Sequence, residues 1–179
     1  MSCAVPDTFI TQLGFSDRPV VFLRKDHPLL QQTWSLENFL ACPQVSVVWE
    51  ASDSWALDDL LEDEGHRRQV PIMVASFEQA LHIASQSSHE LIAVAPSYCA
   101  GYAARHHGNL IAMPLPLPEA LYKQLEIAFI LLWHKRHNQD AKVMWLRNET
   151  KRLYGLAAEG LALFPWGGGE AALAPAGDA

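Results

Sequence analysis

The chain has 179 residues, half of them hydrophobic and 18% charged, with a formal net charge of −7. That is enough apolar material for a real core, so the composition excludes an intrinsically disordered chain. The acidic surplus argues against this polypeptide gripping nucleic acid by itself, because neutralising phosphates takes an excess of Lys and Arg.

Pro19 to Arg24 is a β-branched and aromatic run that predicts a strand, broken by His27-Pro28. Ser35 to Leu40 predicts a short capped helix, and Val45 to Trp49 a second strand. Apolar residues recur at helical spacing from Ser54 to Glu62, and Gly65 ends that helix. Three strands follow at Val70–Val74, Leu91–Ala95 and Asn109–Met113, separated by helices at Ser76–Ser85 and Ser97–Arg105. Strands and helices alternating at this length predict a parallel sheet, so Val45 to Met113 reads as one βαβαβαβ lobe. The alternating prolines of Pro114-Leu115-Pro116-Leu117-Pro118 mark a semi-rigid crossing or hinge. Beyond them, Glu126 to Trp133 reads as a strand apolar on both faces, and Asp140 caps an amphipathic helix that reaches Tyr154. The strand near Val20 and these last two elements are expected in a second lobe. From Ala157 onward Ala and Gly dominate without any Lys or Arg, which predicts a disordered tail.

The passage from Val70–Val74 into Ser76-Phe77-Glu78-Gln79 carries the functional signal. A strand that ends at a Ser-capped helix leaves backbone N–H groups able to hold a small anionic group. Equally, Ser76 could only cap its helix and Phe77 only pack. The ends of the neighbouring strands, Ser46 with Val48 and Val94 with Ala95, face the same edge of a parallel sheet, the usual ligand crevice.

Other candidates favour structural roles. Cys3, Cys42 and Cys99 share no metal-ligand spacing, and their odd number suggests reduced, buried thiols. Cys99 could gain thiolate character at a helix start, but a buried thiol explains it better. His134 and His137 lack a third ligand, and both they and His106-His107 read as solvated basic turns. Arg67 and Arg68 either meet a carboxylate ligand or face water at a strand entry. Asp58, Asp59, Glu62, Asp63 and Glu64 read as a solvated helix face. We expect no catalytic set, no metal and no cofactor. The first residues lack a basic region followed by an apolar one, and Ile127 to Trp133 is too short to span a bilayer, so a cytoplasmic protein is expected.

In order and spacing, these segments resemble the effector-binding domain of LysR-type transcriptional regulators. The resemblance is carried by Val21-Phe22-Leu23-Arg24-Lys25-Asp26-His27-Pro28-Leu29, Ser35 to Val48, Gly65 to Pro71 and Val74-Ala75-Ser76-Phe77. It continues through Leu91 to Pro96, Pro114 to Pro118, Leu132-Trp133-His134-Lys135-Arg136-His137, Asp140 and Trp145-Leu146-Arg147. The last motifs look most like the branch that senses aromatic and flavonoid-like inducers. The resemblance implies an α/β, periplasmic-binding-protein-like fold of two lobes. It implies an effector-binding site at Ser46, Val48, Ser76, Phe77, Val94 and Ala95, taking a small aromatic or carboxylated effector. It also implies a division into residues 1–42 (partial lobe one and entry strand), 43–115 (lobe two), 116–156 (return to lobe one) and the tail 157–179. No helix-turn-helix pattern precedes Val20, so lobe one is expected to be half present, and DNA binding is expected to belong to a domain absent from this chain. The unpaired apolar strand and the C-terminal helix then predict self-association. The rival readings are a small cytosolic α/β hydrolase or transferase, for which no G-x-S-x-G, P-loop or G-x-G-x-x-G is present, a solute-binding protein, and a nonfunctional regulator remnant.

Overall fold

The computed structural model describes residues 5–48, 55–87 and 90–162, with side chains to Leu153. Seven strands and six α-helices run in the order β1 (Phe9–Asp17), β2 (Pro19–Arg24), α1 (Leu36–Ala41), β3 (Pro43–Val47), α2 (Ala56–Asp63), β4 (Gln69–Val74), α3 (Phe77–Gln86), β5 (Ile92–Pro96), α4 (Ala100–His106), β6 (Leu110–Pro114), α5 (Glu119–Tyr122), β7 (Ile127–His134) and α6 (Ala141–Ala162).

The main sheet has the order β4-β3-β5-β2-β6. β3 runs parallel to β4 and β5, whereas β2 lies antiparallel between β5 and β6. The strand at Val20, expected outside this lobe, is therefore one of its inner strands. Its side chains explain the placement: Val20 to Leu23 are all essentially buried, as a strand covered on both faces requires. Val21 and Leu23 pack with Ile92 and Val94 against Phe39 of α1 and Leu57, Leu60 and Leu61 of α2. Val20 and Phe22 face the other way, onto Leu81 of α3 and Ala100 and Ala103 of α4.

β1 and β7 form a separate two-stranded antiparallel ribbon, with a register shift between Leu13 and Phe15. β7 is thus not a central strand here. Its burial alternates, leaving Ile130 and Leu132 half exposed, and among the described residues its one partner is β1. α6 begins where Asp140 accepts the N–H groups of Lys142 (2.8 Å) and Val143 (3.3 Å). It runs on to Ala162, correcting the expected disorder from Ala157. The Ala- and Leu-rich run Leu156-Ala157-Ala158 has high helix propensity, and the next proline is Pro165. The rest of the expected tail lies outside the described residues.

Candidate functional site

The parallel strands bring the C-terminal ends of β3, β4 and β5 to one edge. Val47 pairs with Val74, and the Val48 N–H donates to the Val74 carbonyl at 2.8 Å, so the exits of β3 and β4 lie side by side. β5 and β6 end on the same edge, where β2 starts: Pro19 pairs with Pro96 and Val20 with Pro114. The ribbon begins there too, since Asp17 pairs with Ile127.

Of the residues expected to bind an effector, Val48, Ser76 and Phe77 reach this edge with accessible atoms; Val48 is 54% exposed. Ser46 is buried within β3. Val94 and Ala95 are fully enclosed on opposite faces of β5, so their side chains serve the core. Phe77 is half-buried between the two clusters beneath α3. Ser76 accepts the Gln79 N–H at 3.3 Å, and the Gln79 side-chain oxygen accepts the Ala75 N–H at 3.0 Å, a reciprocal cap. The Glu78 carboxyl is held below the ordinary carboxylate range by its own backbone N–H first and the Ser76 hydroxyl second. The start of α3 is thus partly closed by its own side chains, where the sequence suggested open N–H groups.

The structure adds residues that the sequence did not single out. Asp17 is buried at the end of β1. Its carboxylate accepts the hydroxyl of Ser97, the Tyr98 N–H at 3.1 Å and the Arg18 N–H at 2.8 Å. Tyr98, more than a third exposed, stands edge-on to Phe15 (6.4 Å between centroids) and Phe129 (5.7 Å), which stack on each other at 4.4 Å. This aromatic group and the Asp17 carboxylate fasten the ribbon to the exit of β5. The Tyr98 phenol is pushed up to about 12, chiefly by burial, and stays a hydrogen-bond donor. Pro96-Ser97-Tyr98 at a strand end was a usable sequence signal for Tyr98. Its contact with Phe15 and Phe129 was not readable, because it depends on β1 pairing with β7.

Three expectations of solvated surface are corrected. Arg68 is buried; its Nε and Nη2 donate to Asp58 at 2.8 and 2.6 Å and its Nη1 to Gln44 at 3.1 Å, over the Trp55 ring at 4.9 Å. Asp58 therefore serves an ion pair rather than a purely solvated face, and Arg68 is not free to meet a ligand. His107 is also buried, its Nδ1 3.3 Å from the Ser85 hydroxyl and its ring beside His82 (5.6 Å) and Tyr102 (5.8 Å). Cys99 is buried, and burial first, then Asp17 and Glu78, push its thiol up to about 12, so it is a packing residue rather than a nucleophile. His134 accepts the Arg136 N–H at 3.1 Å in an exposed basic turn. No group of three potential metal ligands occurs among the described residues, and no helix there is long and apolar enough to cross a membrane.

The family model for the LysR substrate binding domain matches residues 3–154. The chain belongs to that family. Among solved structures, this LysR substrate-binding domain is similar to a putative transcriptional regulator from Vibrio parahaemolyticus, with a TM-score of 0.69 and 20% identity over 87% of this chain and 69% of that one. It is also similar to the regulatory domain of MexT, a transcriptional activator in Pseudomonas aeruginosa (TM-score 0.64, 19% identity, 84% of this chain and 68% of that one). A probable transcriptional regulator from Pseudomonas aeruginosa matches with a TM-score of 0.64 and 27% identity over 83% of this chain, which spans only 46% of that relative. The α/β fold is that of periplasmic-binding-protein-like effector domains. The LysR domain is an effector-binding module of a transcriptional regulator and not an enzyme; domains of this kind bind small molecules and oligomerise.

Proposed function

We propose that this domain senses a small aromatic or carboxylated effector at the strand-exit edge, in the crevice between the main sheet and the β1–β7 ribbon. Residues 43–115, joined by β2 and α1, form lobe two; the ribbon and α6, drawn from the stretches before residue 42 and after residue 116, supply the part of lobe one present here. Val48, Ser76 and Phe77 contribute side chains, Ser46, Val94 and Ala95 shape the strand ends behind them, and Tyr98 adds an aromatic wall. The observation that carries this reading is the convergence of three parallel strand exits on an edge lined by a tyrosine more than a third exposed. A compound filling the crevice bears on both lobes, so binding alters the contact between ribbon and sheet. The apolar ribbon face and α6 serve self-association, and a helix-turn-helix domain of the whole, cytoplasmic regulator contacts DNA.

The test is calorimetry with an aromatic compound that raises the melting temperature of the domain. Phe77→Ala is expected to weaken its binding by about 1–3 kcal/mol, the usual worth of a buried aromatic contact. Folded Ser76→Ala and Phe77→Ala variants with unchanged affinity would overturn the assignment.

A further inference from the structure

The main sheet and the β1–β7 ribbon are separate sheets, and among the described residues the chain passes between them twice. Each passage narrows to one residue. Arg18 alone separates Asp17, the last residue of β1, from Pro19, the first of β2. On the other passage, Leu115 and Leu125 are buried in the core of the main sheet, with Leu117, Leu121 and Tyr122 packed against it. That stretch moves with the main sheet, and Glu126 alone separates Leu125 from Ile127, where β7 begins. Asp17 and Ile127 are register partners, so the two single-residue joints lie side by side. They carry opposite charges and meet: Arg18 Nη2 is 3.7 Å from the Glu126 carboxylate.

The main sheet also grips Arg18. Its guanidinium lies over the Tyr122 ring at 5.3 Å, and its Nη1 donates to Glu119 at 3.2 Å. The Tyr122 hydroxyl donates to the Pro19 carbonyl at 2.8 Å, and the Arg18 carbonyl accepts the Ser97 N–H at 2.9 Å. Arg18 is thus anchored on the sheet side, and its pair with Glu126 binds one joint to the other. Pro19 confines the residue before it to extended conformations, so Arg18 permits a limited swing rather than free rotation. Farther from the pivot the ribbon and the sheet share no strand ladder among the described residues. Tyr98 rests on Phe15 and Phe129, and α6 lies against α4 and the turn at Ser97–Cys99. Packing of this kind can slide, whereas the joints cannot move without changing the distance from Arg18 to Glu126.

We propose that Arg18 and Glu126 are the hinge of this domain and that their ion pair sets the angle of the ribbon over the strand-exit edge, Arg18 keeping Glu119 when Glu126 swings away. A pair this exposed adds little to folding stability, but a small bias decides between two arrangements of nearly equal energy. This role needs no bound effector.

Residual dipolar couplings of backbone N–H groups in the full chain report the angle between ribbon and sheet and the freedom of one against the other. In the parent protein the couplings of β1 and β7 and those of β2, β3 and β5 are expected to fit one alignment frame. Glu126→Gln, which keeps the size of the side chain, is expected to rotate or weaken the frame of the ribbon while the frame of the main sheet and the melting temperature hold. In about 1 M sodium chloride, where the Debye length is about 3 Å, the parent should behave likewise. Arg18→Lys keeps the charge and should retain much of the parent's frame where Arg18→Gln loses it. Glu119→Gln should leave the ribbon as it is. A single frame that persists both in Glu126→Gln and in high salt overturns the proposal. So does an equal loss in Glu119→Gln, since the anchor on the sheet would then set the angle. Two unrelated frames already in the parent also overturn it, because the pair would hold nothing in place.

Discussion

The carboxylate of Asp17 accepts the backbone N–H of Tyr98 at 3.1 Å, across 81 positions of sequence, and the Ser97 hydroxyl beside it. One buried side chain thereby joins the last residue of the ribbon strand β1 to the exit of the central strand β5. Asp17→Ala leaves two or three donors without their acceptor in a buried place, a loss of about 1–3 kcal/mol. The denaturant midpoint should fall with little change in slope, and amide exchange at Tyr98 should quicken. A midpoint equal to that of the parent protein would show that water replaces the carboxylate at no cost.

Arg68 and Asp58 form a two-pronged pair whose guanidinium is enclosed and whose carboxylate is partly exposed. The arrangement holds the first turn of α2 against the start of β4 and, through Gln44, against β3, in which Gln44 is fully buried. Asp58→Ala strands the enclosed cation and should cost about 1–3 kcal/mol, less than a fully buried pair because solvent reaches the carboxylate. Arg68→Lys should lose most of the same amount, since a point charge cannot reproduce the fork or lie flat on Trp55. Thermal denaturation of the two variants checks both expectations, and a Lys variant as stable as the parent would refute the geometric argument.

His107 gives the domain a pH dependence of defined sign. Burial first, then the nearby His82 and His106, hold its pKa below the ordinary 6.5. Above that value the ring is neutral in both the folded and unfolded chain, and its contribution is fully present. As the pH falls below 6.5 the unfolded chain takes the proton first, so stability declines until the folded pKa is passed. His107→Gln should flatten the pH dependence of the melting temperature across this range relative to the parent, and an unchanged slope would assign it to other groups.

Much of the fold was legible in the sequence because its signals are local. Ser35, Ser76 and Asp140 cap helices that start one residue later, and Gly65, with φ +77°, ends α2 as expected. The strand at Val20 was visible as a strand, but nothing local says that it inserts antiparallel between β5 and β6. β1 was missed: Phe9 to Asp17 mixes Thr, Gln, Gly and Ser into its apolar pattern, and its pairing with β7 comes from the far end of the chain. The same distance hid half of the site. Ser76 and Phe77 could be placed from one strand–helix junction, whereas Asp17 and the Tyr98 cluster exist only once β1, β5 and β7 meet. Arg68 was left between a ligand contact and a strand entry facing water, and His107 was read as solvated, because charge in a sequence shows neither burial nor partner; here Asp58 and Ser85 supply the partners.

The exposed face of the ribbon points to how the domain associates. Leu13 lies directly across from Ile130 in the β1–β7 register, and Leu132 lies two residues further along the same face; all three are at least half exposed. α6 adds Met144, Trp145, Leu146 and Leu153, each more than 40% exposed. A two-stranded ribbon showing this much apolar surface is marginal alone and tends to recruit a further layer. A second copy can offer the same apolar surface in return, as a two-fold interface requires. The domain is therefore expected to sediment as a dimer or larger species at micromolar concentration. Ile130→Glu combined with Leu132→Lys should shift it toward the monomer, because charges on that face cannot be enclosed without partners. Trp145→Ala reports separately on whether α6 takes part, by a smaller shift in the same direction. A parent chain that sediments as a well-folded monomer with a cooperative melt would mean that the ribbon is stable with its outer face in water.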